Sequence, residues 1–179
     1  MTYPVDMAVS TLVPVEEYLS TVYESDCDYV DGEVIERNMG ESDHSGIQLE
    51  LAHWLANRRR KTGIQVFPEL RVEVAPGRYR VPDIAVTKGR IPKGVLREPP
   101  FLCVEVLSPE DRMSRVEARI DDFLSFGVQY IWLVDPRRRK AWTYTPQGRR
   151  DETSVLTTSD PDLSLAIEEI FTALDEDVE

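Results

Sequence analysis

Asp83 and Glu105 stand where a folded chain can least accommodate an acid. The first lies in Arg80-Val81-Pro82-Asp83-Ile84-Ala85-Val86 and the second in Phe101-Leu102-Cys103-Val104-Glu105-Val106-Leu107, each within a run that reads as a buried strand. An ionised carboxylate taken out of water without a partner is so costly that it neutralises, pairs or binds a metal. Side chains alternate along a strand, so Asp83 is expected on one face with Val81 and Ala85, and Glu105 with Phe101 and Cys103. If the strands are neighbours, the carboxylates meet across ~5 Å and ask for a cation. Mg2+, or Mn2+ in its place, takes hard oxygen ligands and keeps waters in its other positions. Such an ion acidifies a water and stabilises charge developing on a phosphodiester. Arg119 is a third candidate. It follows Val116 by three residues and precedes Phe123 by four, at the edge of an apolar stripe and roughly 60° from Val116 on a helix. A guanidinium there suits Glu105 or a substrate phosphate. An Arg-carboxylate brace without chemistry fits the same placement equally well.

The elements that must position these groups follow from periodicity. Pro14 before Val15-Glu16-Glu17-Tyr18-Leu19 predicts a short first helix, and Asp31-Gly32 between alternating segments predicts a hairpin. Ile47, Leu51, Trp54, Leu55 and Arg58 recur at helical spacing, predicting a long helix from Ser42 to Gly63. Ile64 to Phe67 and Leu70 to Val74 read as extended, and Pro76-Gly77 turns the chain into the strand bearing Asp83. The strand bearing Glu105 stops at Pro109. A helix over 113–126 follows, closed by Gly127. Tyr130 to Val134 is a buried strand and Ala141 to Tyr144 an edge-like one. A weak strand over 154–157 and a short helix over 165–174 end the pattern. Strand, helix, strand from 101 to 134 indicates a parallel crossover, hence an α/β fold with a mixed β-sheet flanked by α-helices.

A chain of 179 residues, 41% hydrophobic and 30% charged, buries one substantial core, so a single domain over 1–179 is expected. Its body spans about 13–145, with a short C-terminal extension over 146–179. No apolar stretch approaches the ~20 residues that span a bilayer. Residues Met1 to Ser10 lack the basic start and apolar centre of a secretory signal. A cytoplasmic protein without a membrane partner is the expectation. Cys27 and Cys103, the only cysteines, form no CxxC or Cys/His cluster, so neither a disulfide framework nor a zinc site is indicated. The net charge of -12 opposes broad affinity for nucleic acid, which is dominated by phosphate contacts. Arginines nevertheless cluster at 58–60 and 137–139, and a local basic surface can coexist with a global deficit.

Pro82-Asp83, Val104-Glu105-Val106-Leu107-Ser108-Pro109 and Gly127-Val128-Gln129-Tyr130-Ile131-Trp132-Leu133-Val134-Asp135-Pro136, taken with Tyr29-Val30-Asp31-Gly32-Glu33 and His44-Ser45, resemble a large bacterial family known as "putative restriction endonucleases". That family belongs to the PD-(D/E)XK nuclease superfamily. The resemblance runs in the same order from about Val13 to Tyr144. It implies a restriction-endonuclease-like core, often homodimeric, acting on DNA, with Asp83 and Glu105 as metal-binding acids and the Val106 carbonyl as a further metal contact. His44 matches the family's histidine, suited to a phosphate contact or proton transfer. Glu33, beside the hairpin turn, is a candidate third acid, against the commoner reading of an exposed strand glutamate. The superfamily's lysine, two residues after the second acid, is Leu107 here. The family resembled here usually carries its lysine on the next helix, eight residues before the Gly-Val pair, and that position is Arg119. Arginine hardly ever loses its proton, so it can stabilise a phosphate but cannot act as a general base.

Two functions compete on these grounds. One is a metal-dependent endonuclease hydrolysing DNA phosphodiesters through Asp83, Glu105 and Arg119. The other is a catalytically weakened nuclease-fold protein that binds nucleic acid or protein, favoured by the net acidity and by arginine in the lysine position. A small-molecule hydrolase or oxidoreductase finds no glycine-rich phosphate loop and no Gly-x-Ser-x-Gly elbow.

Overall fold

A computed structural model of the chain describes residues 12–38, 41–89 and 91–176; the Met1 to Ser10 reading lies outside them. In chain order the elements are α1 (Val15–Ser20), β1 (Cys27–Val30), β2 (Glu33–Glu36), α2 (Ser42–Ala56), α3 (Arg59–Thr62), β3 (Ile64–Pro68), β4 (Val72–Ala75), β5 (Arg78–Arg80) and β6 (Ile84–Lys88). There follow β7 (Leu102–Val106), α4 (Met113–Phe126), β8 (Tyr130–Asp135), β9 (Lys140–Thr145), β10 (Gly148–Thr153), β11 (Val155–Thr158), β12 (Leu163–Ala166) and α5 (Ile167–Glu176).

The central sheet has six strands in the order β10-β9-β8-β7-β6-β3. Only β7 and β8 pair in parallel, joined through α4. Alternation along these strands divides the core. Leu102, Val104, Val106, Trp132 and Val134 face α2 and α5, packing on Ile47, Leu51, Leu55 and Phe171. Cys103, Ile131 and Leu133 face Val116, Ile120 and Phe123 of α4. Period two in the strands and period 3.6 in the helices thus generate a three-layer sandwich. Phe101, expected beside Cys103, precedes β7 and joins the opposite layer.

A smaller sheet, β2-β1-β5-β4, lies beside the first. Asp31 and Gly32 turn its hairpin at φ 52 and 99, the left-handed pair that a two-residue turn between twisted strands requires. A buried ion network ties this sheet to α4. Asp28 of β1 accepts from Arg80 Nη1 at 2.8 Å and from the Val81 amide at 2.9 Å. Arg80 in turn reaches Asp122 of α4 through Nε at 2.7 Å.

Three local expectations change. The segment bearing Asp83 is not one strand: β5 ends at Arg80 in the small sheet, β6 begins at Ile84 in the large one, and Asp83 sits at the crossing. Pro82 explains the break, because it has no amide to donate to a ladder. The long helix stops at Ala56 and resumes as α3 before Gly63. Arg58 Nη1 donates to the Trp54 carbonyl at 2.9 Å, and its amide donates to the Leu55 carbonyl instead. Finally, the extension over 146–179 carries two strands, β10 and β12, besides the expected strand and helix. β10 joins the central sheet, the β11-β12 hairpin brings Leu156, Leu163 and Leu165 into the main core, and α5 adds Ile170 and Phe171.

Candidate active site

Strand register creates the site. Ile84 of β6 faces Val104 of β7 in an antiparallel pair, and one step further sets Asp83 opposite Glu105. Glu105 lies on the face that Cys103 presents to α4, and Arg119 reaches it from that helix with Nη2 at 2.7 Å from Oε2. The edge-of-stripe position therefore does direct Arg119 at the sheet, and the residue is buried with Val116, Ile120 and Phe123.

Asp83 is held from several sides. The Val106 amide donates to its Oδ2 at 2.6 Å, and His44, in the first turn of α2, brings Nε2 to 3.5 Å from the same oxygen. Gln48, one turn along α2, donates to the Asp83 carbonyl at 3.0 Å. Arg37, beyond β2, places Nη2 2.6 Å from Asp83 Oδ1 and 3.4 Å from Glu105 Oε2, while its Nη1 donates to the Val81 carbonyl. Reading the sequence missed Arg37. An arginine in a polar segment carries no periodic signal, and its partners lie 46 and 68 residues away.

The other candidates sort by position. Glu33 is exposed beside the hairpin turn, paired across the strands with Val30, and no hydrogen bond or ion pair joins it to the two acids among the described residues. Elsewhere on α2, Glu50 is half-buried and His53 is exposed. Asp135 forms a turn, accepting from the Arg138 amide at 3.1 Å.

The two acids differ in electrostatic character despite sharing a cation. Burial pushes the Asp83 carboxyl up, but Arg37, His44 and the Val106 amide together outweigh it and hold the group at about 2. Burial pushes Glu105 up as well, and Arg119 and Arg37 offset that only in part while the Asp83 charge adds to it, leaving it at about 7. His44 loses charge affinity through burial and regains more from its bond to Asp83, so its pKa rises. The signs give a pH profile. A carboxyl raised from 4.5 to about 7 loses stability as pH climbs between those values, and the His44 pairing, present below 6.5, is lost as pH climbs through its raised value. Asp83 acts oppositely, stabilising above 3.8 and failing only as pH falls toward about 2. In EDTA, melting temperature is therefore expected to fall by several degrees between about pH 5.5 and about pH 8. Glu105→Gln should flatten most of that slope, and a wild-type profile with no slope would contradict the assignment.

One atom bears on whether a metal fits. Glu105 Oε1 is buried without a hydrogen-bond partner among the described residues, an arrangement costly enough to call for a ligand. No group of three or more His, Cys, Asp and Glu with metal-binding proximity occurs among the described residues, which disfavours a protein-caged zinc or calcium ion. Mg2+ commonly takes one or two carboxylates and retains its waters. Asp83 and Glu105 fit that ion.

A mixed sheet between helical layers, with two acids meeting at the ends of adjacent strands, has the architecture of a nuclease-type α/β domain. The chain belongs to the Uma2 family, described as "Putative restriction endonuclease", whose family model matches residues 15–178. It is similar to the crystal structure of "a putative nuclease belonging to DUF820" from Anabaena variabilis, with 25% sequence identity and a TM-score of 0.75. That likeness covers 90% of this chain and 99% of the other. No curated protein shows significant similarity to the chain. None of the helices among the described residues is long and apolar enough to cross a membrane.

Proposed function

We propose that this chain is a metal-dependent endonuclease that hydrolyses DNA phosphodiester bonds. The observation that carries the reading is the meeting of Asp83 and Glu105 at one guanidinium nitrogen, with Glu105 Oε1 buried and unpaired. Asp83, Glu105 and the Val106 carbonyl would hold Mg2+ or Mn2+. A divalent ion in such a site supplies Lewis acidity to a phosphodiester and lowers the pKa of water.

The chain's own groups account for the rest. The Val106 amide and His44 fix the Asp83 carboxylate in its ionised form. An arginine keeps its proton under ordinary conditions, so the role open to Arg119 is to act on phosphate negative charge and not as a proton acceptor. On that basis Arg119→Ala should lower kcat by roughly 10²–10³-fold, whereas Arg119→Lys should stay within about tenfold of wild type, since the charge is what matters. A Lys variant as inactive as the Ala variant would overturn this role.

The reading itself is tested by incubating supercoiled, linear and single-stranded DNA with the protein in Mg2+, Mn2+ or EDTA. Nicking that needs a divalent ion and disappears in both Asp83→Ala and Glu105→Ala supports it. One observation favours the second reading, a binding module without turnover: Arg37 and Arg119 already neutralise both acids. DNA binding without cleavage in any metal would select it.

A further inference from the structure

Asp83 and Glu105 need a cation, and Arg37 already supplies one. Its guanidinium bridges the pair through Nη2 at 2.6 and 3.4 Å, with a side chain only 11% exposed. Arg119 holds Glu105 Oε2 from the other side. Two guanidiniums thus balance two carboxylates, before any contribution from His44. Adding a divalent ion to this buried set would leave it doubly positive, at a cost that low polarity magnifies.

Release of one guanidinium would lower that excess charge. Arg119 projects from the middle of α4, fixed among Val116, Ile120 and Phe123. Arg37 follows the last residue of β2, outside any helix or strand. Its neighbour Asn38 is tied down by an exposed hydrogen bond to Asp111 at 3.0 Å, which is cheap to break. The bonding at Arg37 is also incomplete: its Nε is buried without a partner among the described residues, as is that of Arg119. Beside them is a cleft of about 120 Å³ whose charged lining is Arg37, Arg80, Arg115 and Arg119 together with Asp28, Glu36 and Asp111. Two unpaired guanidinium N–H groups beside a small cleft suit the oxygens of a phosphate.

Resting on the metal-dependent reading above, we propose that Arg37 is a tethered counter-ion, which occupies the cation position of the acid pair until a divalent ion displaces it and then holds a phosphate oxygen of the nucleic acid in the adjoining cleft. A ligand that must displace an occupant present nine-tenths of the time binds about tenfold more weakly than to the free site.

The test is calorimetric titration of Mn2+ into metal-free wild type, Arg37→Gln and Arg37→Lys at about pH 8. Arg37→Gln is expected to bind Mn2+ about tenfold more tightly than wild type, with Arg37→Lys between them. A merely structural arginine predicts the reverse, because its loss would loosen the site. Equal or weaker binding by Arg37→Gln overturns the proposal; should that variant fail to fold, equal or weaker binding by Arg37→Lys does so. In the second arm, DNA binding is measured with Ca2+ replacing the working ion. Arg37→Gln should lose about tenfold in affinity, one charge-assisted phosphate contact, and unchanged affinity overturns the phosphate role. Neither arm needs turnover. Tighter Mn2+ binding in a protein that never cuts DNA would sink the nuclease reading and leave Arg37 as assigned. Metal-dependent cleavage with unaltered Mn2+ affinity would do the opposite.

Discussion

Asp83→Ala is expected to abolish metal-dependent nicking, by at least ~10³-fold, and to destabilise the metal-free protein by ~3–5 kcal/mol. The two effects have separate causes. Activity goes because one of the two proposed metal-holding carboxylates is lost. Stability goes because Arg37 is left as a buried cation whose best partner has been removed, and because the Val106 amide loses its acceptor. Asp83→Asn separates them. Its amide oxygen can still accept from Val106 or Arg37, so less stability should be lost, yet it has no charge for a metal and activity should fall as far as in Asp83→Ala. Urea denaturation and a plasmid nicking assay, run on both variants, read the two quantities independently. An Asp83→Asn protein with more than about a tenth of wild-type nicking would be incompatible with the proposed role.

The largest purely structural effect is expected away from the acids, at Asp28→Ala. Asp28 is 2% exposed and ties Arg80 and the Val81 amide to β1 just before the chain crosses to Asp83. Removing it strands a buried guanidinium and a buried amide together. Breaking such a pair costs ~3–5 kcal/mol, although the remaining bonds from Arg80 to Asp122 favour the lower end. For a chain of this length that is a fall in melting temperature of roughly 10 °C. Asp28→Asn keeps an acceptor for the Val81 amide and should lose about half as much. A drop below about 1 kcal/mol in Asp28→Ala would mean that water or Asp122 replaces the lost contacts.

Asp28 also marks where sequence reading runs out. It stands in an alternating strand next to Tyr29 and Val30, and nothing local distinguishes it from a solvated acid. Its burial is created by β5 pairing alongside β1, a contact between segments some fifty residues apart. Asp122 is similar: on α4 it reads as part of the polar face, yet it receives Arg78 and Arg80 from the small sheet. The C-terminal strands carry little local signal, because β10, Gly148–Thr153, has no apolar side chain and β12, Leu163–Ala166, is only four residues long. Strand pairing organises them more than any local propensity does.

Other features were legible because short-range physics sets them. The hairpin at Asp31-Gly32, the apolar stripe of α4 with its Gly127 stop at φ 110, and the buried strands β7 and β8 all follow from periods of 2 and 3.6 and from the few residues that tolerate left-handed backbone. The family resemblance likewise rested on contiguous motifs. From these the sequence alone determined that two acids would be buried in an α/β core, that they would need positive charge, and that Arg119 would lie on the inward edge of its helix. Tertiary structure decided that Asp83 sits at a crossing between two sheets, that Glu33 stays on the surface, and that Arg37 supplies a second guanidinium. The reason is range: periodicity acts over a few residues, whereas a buried charge takes whichever partner the folded chain carries within about 4 Å, here one 46 residues away from Asp83.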